Sequence, residues 1–411
     1  MKILVLNSGS SSQKASLYEI ERDVRQNPPA ATWEGKIEWN QGDAQSRVRT
    51  SQGANLQKRV KVTSRAEVVE DLLETLWGGE ARVVSSPSEI NAAGHRVVHG
   101  GQQFRRPTLI TPQVKAAIAG MSASAPLHNR AELEGIDTLE KKLGAIPQVA
   151  VFDTSFHSQL PDPAAIYPGP YEWVSRGIRR YGFHGINHQY CAERTSQLLG
   201  RDLHSLKLVT CHLGNGCSLA AVQGGRSVDT TMGFTPLDGL MMGTRSGAVD
   251  PGILTYLMRE DHLSAEQVDN LLNTKSGLLG ISGSSSDMRQ IIAEMNAGSS
   301  RAKLAFDIFV HRLQLGIGAM IAALGGLDAL VFTAGIGENS PEVRAAACAK
   351  FGFAGVKLDS ARNAQGSGDQ DISPPGSAVP VFVIRAQEDW AIARACSLLL
   401  PEKTQGRAGA L

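Results

Sequence analysis

The chain has 411 residues, with 41 Lys and Arg against 40 Asp and Glu and a formal net charge of +1. At roughly 150 residues per domain this length points to two or three domains, and the near-neutral charge excludes a broad cationic face for nucleic acid or anionic membrane. Apolar residues make up 42% and glycine reaches 43 residues; no G-X-Y period accompanies them, so neither collagen nor disorder accounts for the glycine, which instead points to tight turns and close backbone approach.

Along the chain, residues 2–20 read as strand, turn, strand, with Asn7-Ser8-Gly9-Ser10-Ser11-Ser12 breaking two apolar runs. Residues 25–60 are polar and weakly patterned, which fits strands with variable turns. The spacing of Val68, Val69, Leu72, Leu73 and Leu76 predicts a helix over 64–78, with Ser64 and Glu67 as a capping box and Gly78 as the stop. Short β-rich runs follow at 91–101 and 148–157. Residues 206–222 again read as strand, Gly-rich turn, strand, echoing the first unit in shape and pointing to a duplicated chain; two unrelated hairpins are the alternative. A third turn, Thr333 to Asn339, follows the apolar run 329–332, with a helix expected from Pro341. Residues 361–378 read as a surface loop, 379–384 as a strand and 388–400 as a final helix. The longest apolar run, 315–327, falls short of a bilayer span and reads as the buried end of a helix leading into a strand. Five cysteines, without a C-x-x-C pair, fit a reducing cytoplasm.

None of the three turns is a Walker-A loop or a dinucleotide fingerprint. Each nevertheless has small residues that let backbone N–H groups approach a phosphate, and Lys14 adds a cation near the first; ordinary hairpin turns are the competing reading. His95/His99 and His184/His188 have the i,i+4 spacing of helical metal ligands, but the first pair lies in a β-branched, glycine-bounded run and neither has a following Glu, so zinc is not expected. Arg96 and Arg245 stand between glycines and apolar residues, a setting that suits an anion clamp. Asp153 ends an apolar run, where a catalytic or metal-binding carboxylate and a turn cap are both open. Glu388 begins the last helix, where the dipole alone favours an acid.

Together the runs NSGSSSQK, GHRVVHGG, APLHN, VFDTSFH, RRYGFHG, HLGNG, MGFTPLDGLMMGTRSG, GLLGISG with DMR, and AGIGEN resemble the acetate kinase family over nearly the whole chain. That family belongs to the actin/Hsp70/sugar-kinase superfamily. The resemblance implies an α/β fold of two duplicated ribonuclease-H-like domains with a central active-site cleft. Residues 1–154 with 388–411 would form one domain, and 155–387 the other, nucleotide-binding one. It implies Mg2+-dependent, reversible transfer of the ATP γ-phosphoryl group to acetate, giving acetyl phosphate and ADP, in a cytoplasmic homodimer with no nucleic-acid or membrane partner.

Carried over by position, the resemblance implies that Asn7 and Glu388 hold Mg2+, with Mn2+ as the alternative ion. Arg96 would bind the substrate carboxylate, Asp153 would be the catalytic carboxylate, and His184 and Arg245 would stabilise the transferring phosphoryl group. Val98, Leu127, Phe183 and Pro236 would form the acyl pocket. Lys14 and the run His212, Leu213, Gly214, Asn215 and Gly216 would meet the phosphates. Asp287, Met288 and Arg289 would hold the adenosine, with Gly335, Ile336, Gly337, Glu338 and Asn339 closing over it. An acetate carboxylate is already ionised at neutral pH, so no general base is needed, and Asp153 is expected mainly to order Mg2+ and its waters. The chain departs from the family's usual FHGTSH at Ile186 and Asn187, from RSGDID at Ala248, from PLEG at Asp238, and from PTNEE at Arg385, which puts a cation near Glu388. A preference for propionate or butyrate, and a nucleotide-binding regulator without acyl transfer, are the competing functions.

Overall fold

The computed structural model describes residues 1–8, 12–20, 27–39, 42–62, 64–121, 126–365 and 368–400, and of 126–130 the backbone alone. The described chain divides into two units, Met1–Ser155 with Gln387–Leu411, and Phe156–Ala386. Both are α/β.

The first unit is built on an eight-stranded sheet. Its strands are β1 (Lys2–Ser8), β2 (Ser12–Glu19), β3 (Trp33–Trp39), β4 (Asp43–Thr50), β5 (Asn55–Lys61), β6 (Ala92–Val97), β7 (Thr108–Leu109) and β8 (Gln148–Phe152), in the order β5-β4-β3-β2-β1-β6-β8-β7. β1 to β5 form an antiparallel meander, and β6 and β8 join β1 in parallel. The alternation in β3 buries Trp33, Gly35 and Ile37 and exposes Glu34 and Lys36, as period-2 geometry requires. One apolar cluster packs β1 to β4 against the helix Arg65–Glu74 and the end of the helix Pro126–Leu143; a second joins Val97 and Phe152 to Ile118 and Ile136. The terminal helix Glu388–Leu399 lies on β1 and β6. Gly94 permits that docking, since a methyl group there would sit 2.6 Å from Ile392 and 2.7 Å from Cys396. This glycine therefore serves helix packing, and not the anion site suggested by its place beside Arg96.

The second unit holds a six-stranded sheet of β9 (Lys207–Leu213), β10 (Cys217–Gln223), β11 (Arg226–Thr230), β12 (Ala329–Thr333), β13 (Gln370–Asp371) and β14 (Val381–Val383), ordered β11-β10-β9-β12-β14-β13. The duplication is now explicit. The segment β3-β2-β1-β6-β8 and the segment β11-β10-β9-β12-β14 share order and sense: an antiparallel trio whose first strand in the chain continues into two parallel neighbours. The echo between residues 2–20 and 206–222 is therefore one of topology. The apolar run 315–327 is the end of the helix Ser300–Leu324 and the short link to β12. That helix is long and apolar enough to cross a membrane. Its stripe of Ala302, Ala305, Phe309, Val310, Leu313, Ile317 and Met320 is buried at helical spacing, and Gly316 brings it onto Leu219 of β10.

Four local expectations need correction. Ser64 precedes the first helix but makes no side-chain cap bond, and the helix ends at Glu74, before Gly78. The Thr333–Asn339 turn is a short helix, Ala334–Asn339. Residues 361–378 are not a plain loop: they contain the helix Ser360–Gln365 and the edge strand β13, which pairs with β14. The strand expected over 379–384 is the shorter β14.

Candidate active site

In the first unit, parallel pairing of β6 with β8 sets Arg96 beside Val151 and carries Asp153 just past the strand end. Asp153 is fully buried and takes a two-pronged bond from Arg96: Nε donates to Oδ1 at 3.2 Å and Nη2 to Oδ2 at 2.5 Å. Burial works to lower the Arg96 pKa, but the charges of Asp153 and Glu388 outweigh it and hold the guanidinium charged. At the start of the terminal helix, Asn7 Nδ2 lies 3.3 Å from both Glu388 Oε2 and Asp389 Oδ1, and Ser16 Oγ donates to Asp389 Oδ2 at 2.8 Å. The NH2 end of the Asn7 amide faces both acids here; the two carboxylates, with the amide oxygen, are the oxygen donors these side chains would offer a hard cation that keeps waters. Among the described residues no cluster of three or more His, Cys, Asp or Glu side chains forms a cage of its own. Lys14 is exposed on β2, opposite Asn7.

Sequence reasoning missed Glu132. It lies on the helix Pro126–Leu143, is buried, and its Oε1 accepts the Val98 N–H at 3.0 Å. Burial pushes its carboxyl up to about 8, against the pull of the Arg96 charge and the Val98 N–H. Nothing in the amphipathic run around it marks this acid out from its solvated neighbours. A carboxyl that stays protonated when folded but ionises when unfolded makes folding less favourable as pH rises. The window runs from the ordinary value of 4.5 to about 8. Glu132→Gln is expected to remove this titration and flatten that fall, worth up to about 1.4 kcal/mol per pH unit; denaturant melts at pH 5, 6.5 and 8 check it.

The second unit contains a cavity of about 840 Å³ lined by Gly214, Asn215, Ser286, Asp287, Met288, Arg289, Ile292, Gly335, Ile336, Asn339, Ser340, Pro341 and Glu342. Of the expected nucleotide residues, Gly214, Asn215, Asp287, Met288, Arg289, Gly335, Ile336 and Asn339 line it. Of the others in this unit, His212, Leu213 and Gly216 do not, and nor do Gly337 and Glu338. The carbonyls of Gly337 and Glu338 accept from the buried Arg344 Nη1, and the Glu338 side chain accepts the Ala386 N–H at 2.8 Å. Ser286, Ile292, Ser340, Pro341 and Glu342 complete the lining and lay outside the expected set. Gly243 closes on the turn between β9 and β10, where its N–H donates to Asn215 O at 3.1 Å.

The same turn carries Gly216, which sits under the side chains of His184 and Arg245. A methyl at Gly216 would lie 3.4 Å from His184 Cε1 and Nε2 and 3.5 Å from Arg245 Nη1, so the two donors converge over this glycine. His184 precedes the helix Gly185–Leu199 with φ 56°, a left-handed conformation that L-residues adopt at a cost of about 1–2 kcal/mol. Its Nδ1 meets Ser218 Oγ at 2.8 Å, and its ring stacks on His212 at 3.9 Å. Arg245 donates Nη1 to Pro236 O at 3.2 Å. Gly277 backs this loop, with φ +62° and no room for a side chain against the Arg245 backbone. Gly216→Ala makes ordinary contacts and needs no positive φ, so it is expected to fold with stability within about 1 kcal/mol of wild type. The methyl would occupy the point where the donors meet, so turnover should fall at least tenfold. Paired thermal melts and initial rates test this.

Of the acyl-pocket candidates, Val98 is buried in the first unit, while Phe183 is buried and Pro236 half-buried in the second. Leu127 lies outside the residues whose side chains are described, as Gly9, Ser10 and Ser11 lie outside the described backbone. Leu213 is buried at the end of β9. His95 is a structural histidine: its Nε2 pairs with Gln148 Oε1 at 2.6 Å, and burial lowers it to about 4. His188 likewise bonds Thr210 and Ser218 inside the second unit. The carboxylate missing at Ala248 falls at an exposed position, and Asp250 caps the next helix by accepting from Gly252 N at 2.8 Å.

The profile of the Acetokinase family matches residues 2–394. The chain belongs to the acetokinase family. It is 58% identical over 407 residues to the acetate kinase of Cyanothece sp., covering 98% of this chain and all of that one, and 57% identical over 400 residues to the acetate kinase of Gloeobacter violaceus, covering 96% and 98%. Among solved structures it is similar to Porphyromonas gingivalis acetate kinase, with TM-score 0.89 and 39% identity over 97% of this chain and all of that chain. It is also similar to a propionate kinase from Francisella tularensis, with TM-score 0.87 and 38% identity over 96% and 98%. As in other acetokinase-family proteins, the architecture is that of duplicated actin-like ATPase domains.

Proposed function

We propose that this acetokinase-family chain is an acetate kinase, moving the γ-phosphoryl group of ATP to acetate and back. The observation that carries the reading is the convergence of His184 and Arg245 over Gly216, on the turn whose Gly214 and Asn215 line the cavity. A nucleotide held in that cavity would present its outer phosphates to these two donors.

The chemistry follows from charge. A carboxylate oxygen attacks the γ-phosphorus in line, a new P–O bond forms, and the bond to the bridging oxygen of ADP breaks. The acceptor is ionised at neutral pH, so no proton has to be removed. The barrier lies in bringing two anions together and holding them aligned. Arg245 and His184 are proposed to neutralise the equatorial oxygens, the backbone of Gly214 to Gly216 and the His212 ring to contact the phosphates, and Arg96 to hold the carboxylate. Two of the five Arg96 donors meet Asp153, which is proposed to aim the fork and fix its charge. This is a narrower role than ordering Mg2+ and its waters. Asn7 and Glu388, with Asp389 beside them, are the residues proposed to hold Mg2+, which when bound supplies charge neutralisation on the phosphates.

Val98, Phe183 and Pro236, with Leu127, are each proposed to meet the acyl group. Hydroxamate capture of the acyl phosphate from acetate, propionate and butyrate tests it. kcat/KM is expected to fall at each added methylene, by about tenfold or more, and a maximum at propionate would overturn the assignment. A homodimer is proposed as well. The helix Pro251–Glu260 has no buried residue although it carries exposed Ile253, Tyr256 and Met258, which supplies an apolar surface for a second copy. A cytoplasmic setting is supported by the five free, buried cysteines.

A further inference from the structure

Asn187 is one of the positions where the chain departs from its family's run. It is fully buried in the first turn of the helix Gly185–Leu199. Its Nδ2 lies 2.8 Å from His212 Nδ1 and 3.3 Å from Thr333 Oγ1. One turn on, the Cys191 thiol faces Asn187 Oδ1 at 3.8 Å. The thiol is a weak donor, so the carbonyl end of the amide turns to Cys191 and the NH2 end to His212. An amide NH2 only donates. His212 Nδ1 therefore accepts, and the ring proton sits on Nε2.

The neighbours make this choice matter. His212 stacks nearly parallel on His184, with centroids 3.9 Å apart and planes 10° apart. Two imidazolium rings in that arrangement repel each other, so the pair carries at most one charge. His184 Nδ1 and His188 Nε2 both meet Ser218 Oγ, at 2.8 and 2.7 Å, and His188 Nδ1 meets Thr210 Oγ1 at 2.7 Å. A hydroxyl donates once. If Ser218 donates to His188 Nε2, then His184 donates Nδ1–H to Ser218 Oγ, which leaves Nε2 as the His184 nitrogen that takes a second proton. The groups around the pair are thus His188, Asn187 and Cys191 from the helix, Ser218 on β10, Thr333 on β12, and Arg245 over Gly216.

We propose that Asn187 fixes His212 as the Nε2–H tautomer and so assigns the positive charge of the stacked pair to His184. His212 is then a neutral donor throughout, and His184 is the imidazolium that meets the phosphoryl group. The phosphoryl role rests on the function proposed above; the tautomer does not. Asn187 is a positioning residue that acts through His212.

Long-range proton–nitrogen spectra of the histidine rings in the full chain, without nucleotide, test this. His212 should show an unprotonated Nδ1 and a protonated Nε2, and keep them through the pH range in which His184 titrates. A proton on His212 Nδ1, or protonation of His212 before His184, overturns the proposal whether or not the protein turns over acetate. Asn187→Asp replaces the donor by an acceptor and should move the His212 proton to Nδ1, shift the acid limb of the kcat–pH profile, and lower kcat at least tenfold with KM for acetate within twofold. Asn187→Ser restores a donor and should restore the Nε2–H tautomer and the profile. If the aspartate variant does not fold, the wild-type ring spectra and the serine variant decide. An Asp variant with the wild-type tautomer and pH profile refutes the role of Asn187.

Discussion

Asp153→Ala is expected to lose both stability and turnover. The carboxylate is fully buried and bound by two donors of Arg96, whose side chain is 14% exposed. Removing the acid leaves a guanidinium in a largely dry site without its closest counter-charge, a change that costs about 3–5 kcal/mol when a buried pair is broken from one side. Burial then works to lower the Arg96 pKa, with Glu388 and, more weakly, Glu132 as the acids that still oppose it. Without its two-pronged partner, Arg96 also loses the aim proposed for the acceptor carboxylate, and kcat/KM should fall by about 10³-fold or more. Asp153→Asn keeps one acceptor and the shape, so it should retain more of the stability than the alanine variant while still losing most activity. Denaturant melts and steady-state rates on both variants check this. An alanine variant with wild-type stability, or an asparagine variant with near-wild-type turnover, would show that the pair does not hold the site.

Arg245→Ala should behave differently. Arg245 is half-buried on the loop between Met242 and Gly247, and it donates to the main-chain carbonyl of Pro236 and to the Met242 sulfur. Truncating a half-buried side chain costs less than breaking a buried pair from one side, so the melting temperature should move less than in Asp153→Ala. Its proposed work is confined to charge that develops on the transferring phosphoryl group, where removal of one aimed donor costs roughly 10²–10³-fold in kcat. Arg245→Lys keeps the charge but loses the planar fork, and should recover only part of the rate. A variant that unfolds before it slows would place Arg245 in the scaffold.

The contrast between these two arginines was only half legible in the sequence. Both stood out because each lies between glycines and apolar residues, and both sit where the resemblance puts an anion. That Arg96 is tied to Asp153 follows from the parallel register of β6 and β8, a non-local pairing that no window around either residue contains. The duplication was legible as two strand–turn–strand runs, because a local pattern repeats when topology repeats. The helix Ala334–Asn339 was not. Its two interior glycines are poor helix formers, and it forms where Ala334 takes φ +65° and the buried Arg344 holds the carbonyls of Gly337 and Glu338. Arg344 also binds Asn363, which anchors the helix Ser360–Gln365 in a stretch whose composition reads as loop. Glu132 was invisible because its burial against Val98 comes from the packing of a helix on β6, and its own segment is as charged as any solvated face. The glycine excess resolves into two uses. Gly94 and Gly277 let elements come together, while Gly216 leaves open the space in which two donors meet.

The measurement that tests the central claim most directly is phosphorus NMR of the purified chain with ATP, Mg2+ and acetate. Acetyl phosphate and ADP should appear in equal amounts, and ATP should re-form when acetyl phosphate and ADP are supplied instead. Release of inorganic phosphate at a rate indifferent to acetate, with no acetyl phosphate in either direction, would contradict the account.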